Sequence, residues 1–180
     1  MRARGNSLLG LSLAALLAAQ AASADVPSDK AAQAEVLFKD ARALMADARY
    51  DEACPKLRAS QELDPGYGTL WNLGECLSKQ GKTASAWAAY REAADMARKA
   101  EQVDRVEKAE RKAGELEPRL EKLSISVAVE APGMVVKRDG LGVARAIWGT
   151  ALPVDPGKHV IEASAPGKKP WKSRSEERRV

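Results

Sequence analysis

The feature that most constrains this chain is a repetition at a fixed distance. Ala41 and Gly74, Leu44 and Leu77, Ala53 and Ala86, and Leu57 and Tyr90 each stand 33 residues apart. A period near that length is that of a helix-turn-helix unit, and such units must stack to bury their apolar faces. The spacing inside each period agrees. Ala34, Leu37, Phe38, Ala41, Leu44 and Met45 share one helical face, and a break at Asp47-Ala48-Arg49 precedes a second helix from Tyr50 carrying Ala53, Leu57 and Leu63. Asp64-Pro65-Gly66 ends that helix, because proline cannot continue it and glycine takes the turn. Leu70, Leu73, Gly74 and Leu77 then form a third helix. After a break at Gln80-Gly81-Lys82, a fourth carries Ala86, Tyr90 and Ala93, with Thr83 expected as its cap, and runs on through Arg98 or beyond. With 4% aromatic residues, the core must be built from Ala, Leu and Val.

A fifth helix is expected from Val103, Val106, Ala109, Ala113 and Leu116, spaced by three or four. Asp104, Arg105, Glu107, Lys108, Glu110, Arg111 and Lys112 make its other face strongly charged, as a terminal capping helix requires. A coiled coil is the competing reading, but the stripe falls short of three heptads. Pro118 should end or kink the helix.

Residues 1–24 read as a secretory signal peptide. Arg2 and Arg4 precede an apolar run over Leu8–Ala19, and Ala22-Ser23-Ala24 is a small-x-small cleavage site, with cleavage expected after Ala24. The run is shorter than the ~20 residues of a membrane anchor, and no Cys near the cut suggests a lipid anchor. The expected mature protein starts at Asp25, has no transmembrane segment and works in an oxidising compartment, the periplasm or the cell surface. Removing Arg2 and Arg4 lowers the net charge from +4 to +2, and with the charges mixed in sign no nucleic-acid partner is expected.

The helical part, residues 31–117, resembles the tetratricopeptide repeat. On that resemblance the small residues Ala41 and Gly74 let paired helices approach, Ala53 and Ala86 sit where helices cross, and Pro65 closes the first repeat. Leu37 and Leu70 depart from it, standing where the family often has Trp, and the second repeat lacks a closing proline. An unrelated four-helix array is the alternative. Two repeats are fewer than the three normally needed for stability, so a further stabiliser is expected. The resemblance places Cys54 and Cys76 opposite each other across the repeat boundary, which in an exported protein implies a disulfide. Closing a loop of about 23 residues would contribute about 3 kcal/mol. Two buried free thiols are the alternative. The resemblance also implies a concave groove lined by Phe38, Arg42, Trp71, Asn72, Glu75 and Lys79. Aromatics flanked by opposite charges suit an extended peptide, whereas the competing reading puts Phe38 and Trp71 in the core.

Over residues 122–173 the period changes to two. Ile125, Val127 and Val129 alternate with Ser124, Ser126 and Ala128, and Val135–Arg138 leads to the hairpin signal Asp139-Gly140. Val143–Trp148, His159–Ala163 and Lys169–Lys172 are further candidate strands, separated by Gly149-Thr150, Asp155-Pro156-Gly157 and Ala165-Pro166-Gly167. The residues Val136–Gly140, Trp148-Gly149-Thr150, Pro153–Val160, Ala165-Pro166-Gly167 and Trp171 resemble the PEGA module, a small immunoglobulin-like β domain. The two resemblances together point to exported envelope proteins of myxobacterial type, scaffolds with no known reaction. Relatives continue through another strand, so residues 174–180 are expected as a disordered tail of a truncated or frame-shifted end, leaving a sheet edge open.

Catalysis finds little footing. The single His, His159, has no partner the sequence can position, and a packing or turn role is expected for it. One His and two Cys do not make a four-ligand Cys/His zinc site, and Gly66-Tyr67-Gly68 is an inter-repeat turn, not a phosphate loop. No cofactor, metal or catalytic residue is expected. Trp148 and Trp171 either stack on a sugar ring or fill the β core. The expected fold is α+β multidomain: a tetratricopeptide-like α-hairpin pair with a capping helix, then a small Ig-like β-sandwich fragment. The expected function is a non-enzymatic scaffold of the bacterial envelope that binds a protein or peptide partner. The alternative is a carbohydrate or peptidoglycan binder acting through the β domain on cell-wall glycan.

Overall fold

A computed structural model describes residues 29–175. The expected signal segment, residues 1–24, and the chain end after Ser175 lie outside the described residues. Five helices come first: α1 (Asp29–Ala46), α2 (Tyr50–Leu63), α3 (Tyr67–Lys79), α4 (Thr83–Lys99) and α5 (Val103–Leu116). Six short strands follow: β1 (Glu121–Leu123), β2 (Val135–Arg138), β3 (Leu141–Gly142), β4 (Leu152–Val154), β5 (Val160–Ser164) and β6 (Trp171–Arg174).

The helices form two α-hairpins, α1–α2 and α3–α4, stacked through α2 and α3, with α5 packed on α4. The repeat-like arrangement reaches down to single hydrogen bonds. After α1, the Arg49 N–H donates to the Leu44 carbonyl at 2.9 Å and Ala48 takes φ +57°. After α3, 33 residues on, the Lys82 N–H donates to the Leu77 carbonyl at 2.9 Å and Gly81 takes φ +73°. Both are left-handed helix endings, natural for glycine and strained for alanine. A third such ending follows α4 at Glu101, where the Gln102 N–H reaches the Ala97 carbonyl.

The core is narrow because its residues are small. Ala41, Ala53, Leu57, Cys76, Ala86, Ala93, Ala97 and Ala109 are all wholly buried. Gly74 lets α3 and α4 meet: a Cβ placed there would lie 2.7 Å from the Tyr90 ring, closer than packed atoms approach. The buried Ser60 hydroxyl donates to the Ala34 carbonyl at 2.9 Å, tying the end of α2 to the start of α1 without leaving a polar group unpaired. Cys54 on α2 and Cys76 on α3 are joined by a disulfide, their Cα atoms 5.7 Å apart. The bridge crosses the seam between the two hairpins, so it fixes the stack and not either hairpin alone.

The strands form a two-stranded sheet, β1–β4, and a four-stranded sheet ordered β3-β2-β5-β6, all antiparallel. Asp139 and Gly140, at φ +51° and +81°, make the expected tight turn between β2 and β3. Elsewhere the strand pattern needs correction. Ile125–Val129 forms no ladder; β1 lies earlier, at Glu121–Leu123, although Ile125 and Val127 still alternate inward and the Ile125 carbonyl accepts from the Gly149 N–H. Val143–Trp148 is not a strand: β3 stops at Gly142, and Arg145–Ile147 winds into a single 3-10 turn. β4, centred on Pro153, is unforeseen; proline donates no ladder bond, and β1 is its sole strand partner. The last strand runs through Arg174, two residues past its expected end, and Ser175 still bonds the His159 carbonyl.

Thr83 does not cap α4. It is the first helical residue, and its hydroxyl donates to the Gly81 carbonyl. The oxygen that α4 lacks comes from the β unit. Asp155, in the turn after β4, accepts from the Ser85 backbone N–H at 2.8 Å and from the Ser85 hydroxyl at 2.6 Å. A carboxylate at this end pairs an orphan N–H and opposes the positive helix terminus.

Candidate functional site

A concavity of about 430 Å³ on the helical layer opens between α3 and α5. Met45 and Tyr50 form its apolar end, Leu116 and Tyr90 its floor, and Glu75, Ser78, Lys79, Lys112 and Glu115 its polar rim. Helical spacing puts Glu75, Ser78 and Lys79 on one side of α3, and Lys112, Glu115 and Leu116 on one side of α5. Lys112 and Glu115 pair with each other at 2.9 Å. The Tyr90 phenol is pushed up to about 12, first by burial, then by the negative charge of Glu75 and, more weakly, Glu115, against the hydrogen bond with Ser78. Tyr90 is therefore a neutral hydroxyl at any physiological pH, a hydrogen-bonding group at the base of a cleft rimmed by both signs of charge.

The six residues expected to line a groove are divided by the structure. Glu75 and Lys79 face the cleft. Phe38 and Arg42 lie apart, in a shallower recess on α1 with Glu35 and Lys39, the Arg42 guanidinium 5.9 Å from the Phe38 ring centre. Trp71 is half-buried against the helical core, stacked on Tyr67 at 6.2 Å and edge-on to Tyr90 at 5.4 Å. Asn72 turns back along α3, its amide donating to the Gly68 carbonyl at 2.7 Å. Tyr90 was read only as a repeat position and Lys112 only as part of a charged outer face, so neither they nor Glu115 stood out as site residues. The signal for the last two was position, since a helix after a second hairpin stands where a third hairpin would begin.

A second cleft, about 420 Å³, lies between α4 and the β unit, lined among others by Trp87, Arg138, Asp139, Leu141, Asp155 and His159. His159 has partners here that the sequence could not supply. Its Nδ1 lies 2.6 Å from an Asp139 carboxylate oxygen and its Nε2 lies 2.8 Å from the Asp155 carbonyl. Burial alone would raise the Asp139 carboxyl, but the His159 hydrogen bond, the Val160 N–H and the nearby positive charges outweigh it and hold the group below the usual carboxylate range. Ser, His and Asp side chains meet at this seam, yet in no order that activates a nucleophile. The Ser85 hydroxyl donates its hydrogen bond to the Asp155 carboxylate, and the imidazole addresses a carbonyl where an attacking hydroxyl would have to stand.

Of the β-unit tryptophans, Trp148 is half-buried with its indole N–H on the Val143 carbonyl, whereas Trp171 on the edge strand β6 is 55% exposed. Among the described residues no group of His, Cys, Asp and Glu could hold a metal ion, and no helix is long and apolar enough to cross a membrane. Compared with known proteins, the sequence matches no family model and no curated protein.

Proposed function

We propose that this chain is an exported, non-enzymatic interaction protein of the bacterial envelope. Its tetratricopeptide-like hairpins bind a peptide or protein segment, and an Ig-like, PEGA-type β unit is carried beside them. The observation that carries this reading is the cleft between α3 and α5. Glu75, Lys79, Lys112 and Glu115 ring an apolar floor, so a peptide would find buried area for one or two side chains and charges of both signs to set its register. The cross-seam disulfide supports the reading, because a groove shared by two hairpins is only as rigid as their stacking. Affinity capture from the native envelope with the full chain tests it. Glu75→Ala with Lys79→Ala should lose the captured partner, while Arg42→Ala, in the separate recess, should lose less. Equal capture by wild type and the double variant overturns the assignment.

A second reading rests on Trp171. An indole 55% exposed on a sheet edge suits stacking on a sugar ring. Retention of the full chain on peptidoglycan, abolished by Trp171→Ala and untouched by the cleft variants, would favour it over the first.

A further inference from the structure

Both ring nitrogens of the chain's single histidine face acceptors. Nδ1 meets an Asp139 carboxylate oxygen at 2.6 Å and Nε2 meets the Asp155 backbone carbonyl at 2.8 Å. A neutral imidazole donates from one nitrogen and presents a lone pair at the other, so only the imidazolium satisfies both contacts. The two acceptors are themselves anchored. The second Asp139 oxygen takes the Val160 N–H at 2.9 Å, and the Asp155 carboxylate takes the Ser85 N–H and hydroxyl at the start of α4. Asp139, His159 and Asp155 thus form one polar chain from the β2–β3 turn to the helical layer, and the His159 side chain is only 14% exposed along it.

We infer that His159 is a proton-operated latch that fastens the β unit to the N-terminus of α4, closed when the ring carries both protons and loosened when it gives one up. Whichever proton leaves, a lone pair then points at an oxygen. Loss at Nδ1 sets it against the Asp139 carboxylate, and loss at Nε2 sets it against the Asp155 carbonyl that holds the capping turn in place. The charged groups around the ring are few. The β2–β3 side contributes Asp139 with Arg138 beside it, and the β4–β5 turn contributes Asp155 and the neighbouring Lys158. β6 ends in Arg174, paired in register with Val160, and the uncharged Ser175 just after it lies on the His159 backbone, while the α4 residues lining the cleft, Ala84, Ser85, Trp87 and Ala88, carry no charge. Among the described residues lining the seam, His159 is the single imidazole. Histidine is the side chain whose charge ordinarily changes between about pH 5 and 8. An exported protein would meet that range outside the cell; the latch itself does not depend on what the α3–α5 cleft binds.

The test uses the full, disulfide-intact chain with its histidine labelled in the ring nitrogens, followed by NMR against pH together with the Ser85 amide. The expected result is a Ser85 amide that shifts along the same curve as the ring. Its hydrogen exchange should also quicken by about tenfold beyond the intrinsic pH effect once the ring is neutral, the loss expected for one hydrogen bond to a charged group. His159→Gln should flatten the Ser85 response, with α2 and α3 amides unchanged to show that the helices stay folded. Asp139→Ala, which leaves the ring in place but removes its anchor, should weaken the response. A Ser85 amide indifferent to ring titration, or one that responds equally in His159→Gln, overturns the latch.

Discussion

The helical layer and the β unit are held together by different physics. The helices are locked by alanine-sized contacts, a wholly buried Leu57, a glycine under an aromatic ring and a covalent bridge across the seam. The β unit has three buried apolar residues, Val136, Val154 and Ile161, and its strands are two to five residues long. Its seam with α4 carries the Asp139 turn, the Asp155 cap on α4 and the His159 ring between them, beside the apolar Ala84, Trp87, Leu152 and Val154. Close packing resists local opening, whereas a seam of hydrogen bonds and charges yields to pH and salt. A chain built this way offers a rigid surface on one side and an adjustable attachment on the other.

The largest test of that contrast is truncation in each core. Leu57→Ala should cost about 2–5 kcal/mol, the range for a fully enclosed leucine. Ile161→Ala, in a shallower core, should leave the main unfolding transition of the helices close to wild type by calorimetry. Reduction of the Cys54–Cys76 bridge, or Cys54→Ser with Cys76→Ser, should lower stability by about 3 kcal/mol, read in denaturant titrations with and without reductant. Gly74→Ala should cost about 1–3 kcal/mol, because the new Cβ would lie 2.7 Å from the Tyr90 ring and force it to shift. Gly114→Ala, where nothing beyond the helix's own backbone lies within 4 Å of the new Cβ, should instead gain up to about 1 kcal/mol of helix propensity. Asp155→Ala should cost about 1 kcal/mol by loss of the cap.

Tyr90 supplies the smallest effect at neutral pH and a clear one at alkaline pH. Its folded value, about 12, lies above the ordinary tyrosine value near 10, so its neutral form favours the fold. That contribution is fully present below about pH 10 and is lost as pH rises toward 12. Tyr90→Phe should flatten the alkaline limb of stability over that window, measured as denaturation midpoint against pH.

The helical half was legible because its rules are local. The 33-residue offsets, the breaks at Asp47–Arg49 and Gln80–Lys82 and the stop at Pro65 each state a backbone preference within a few residues, and the helices begin and end at those marks. The β half was legible at Val135–Arg138 and the Asp139-Gly140 turn, where positive φ is needed at both residues, and within one or two residues at β5 and β6, but poorly at the other strands. Strands as short as Leu141–Gly142 carry too few residues for alternation to be read, and a proline-centred strand such as β4 contradicts propensity outright. The cap on α4 was invisible for another reason. Its oxygen comes from a residue 70 positions away, so the local candidate, Thr83, drew the expectation instead. The cleft was half legible: the α3 residues Glu75 and Lys79 followed from the repeat, while Lys112 and Glu115 were hidden in what reads as a solvated charged face.

Residue-resolved hydrogen exchange on the intact, oxidised chain tests the contrast between the halves most directly. Amides of α2, α3 and the middle of α4 should open only with global unfolding, and those of β2, β5 and β6 should exchange through a separate opening of lower free energy. Equal protection in the helices and the strands, lost together in one transition, would contradict it.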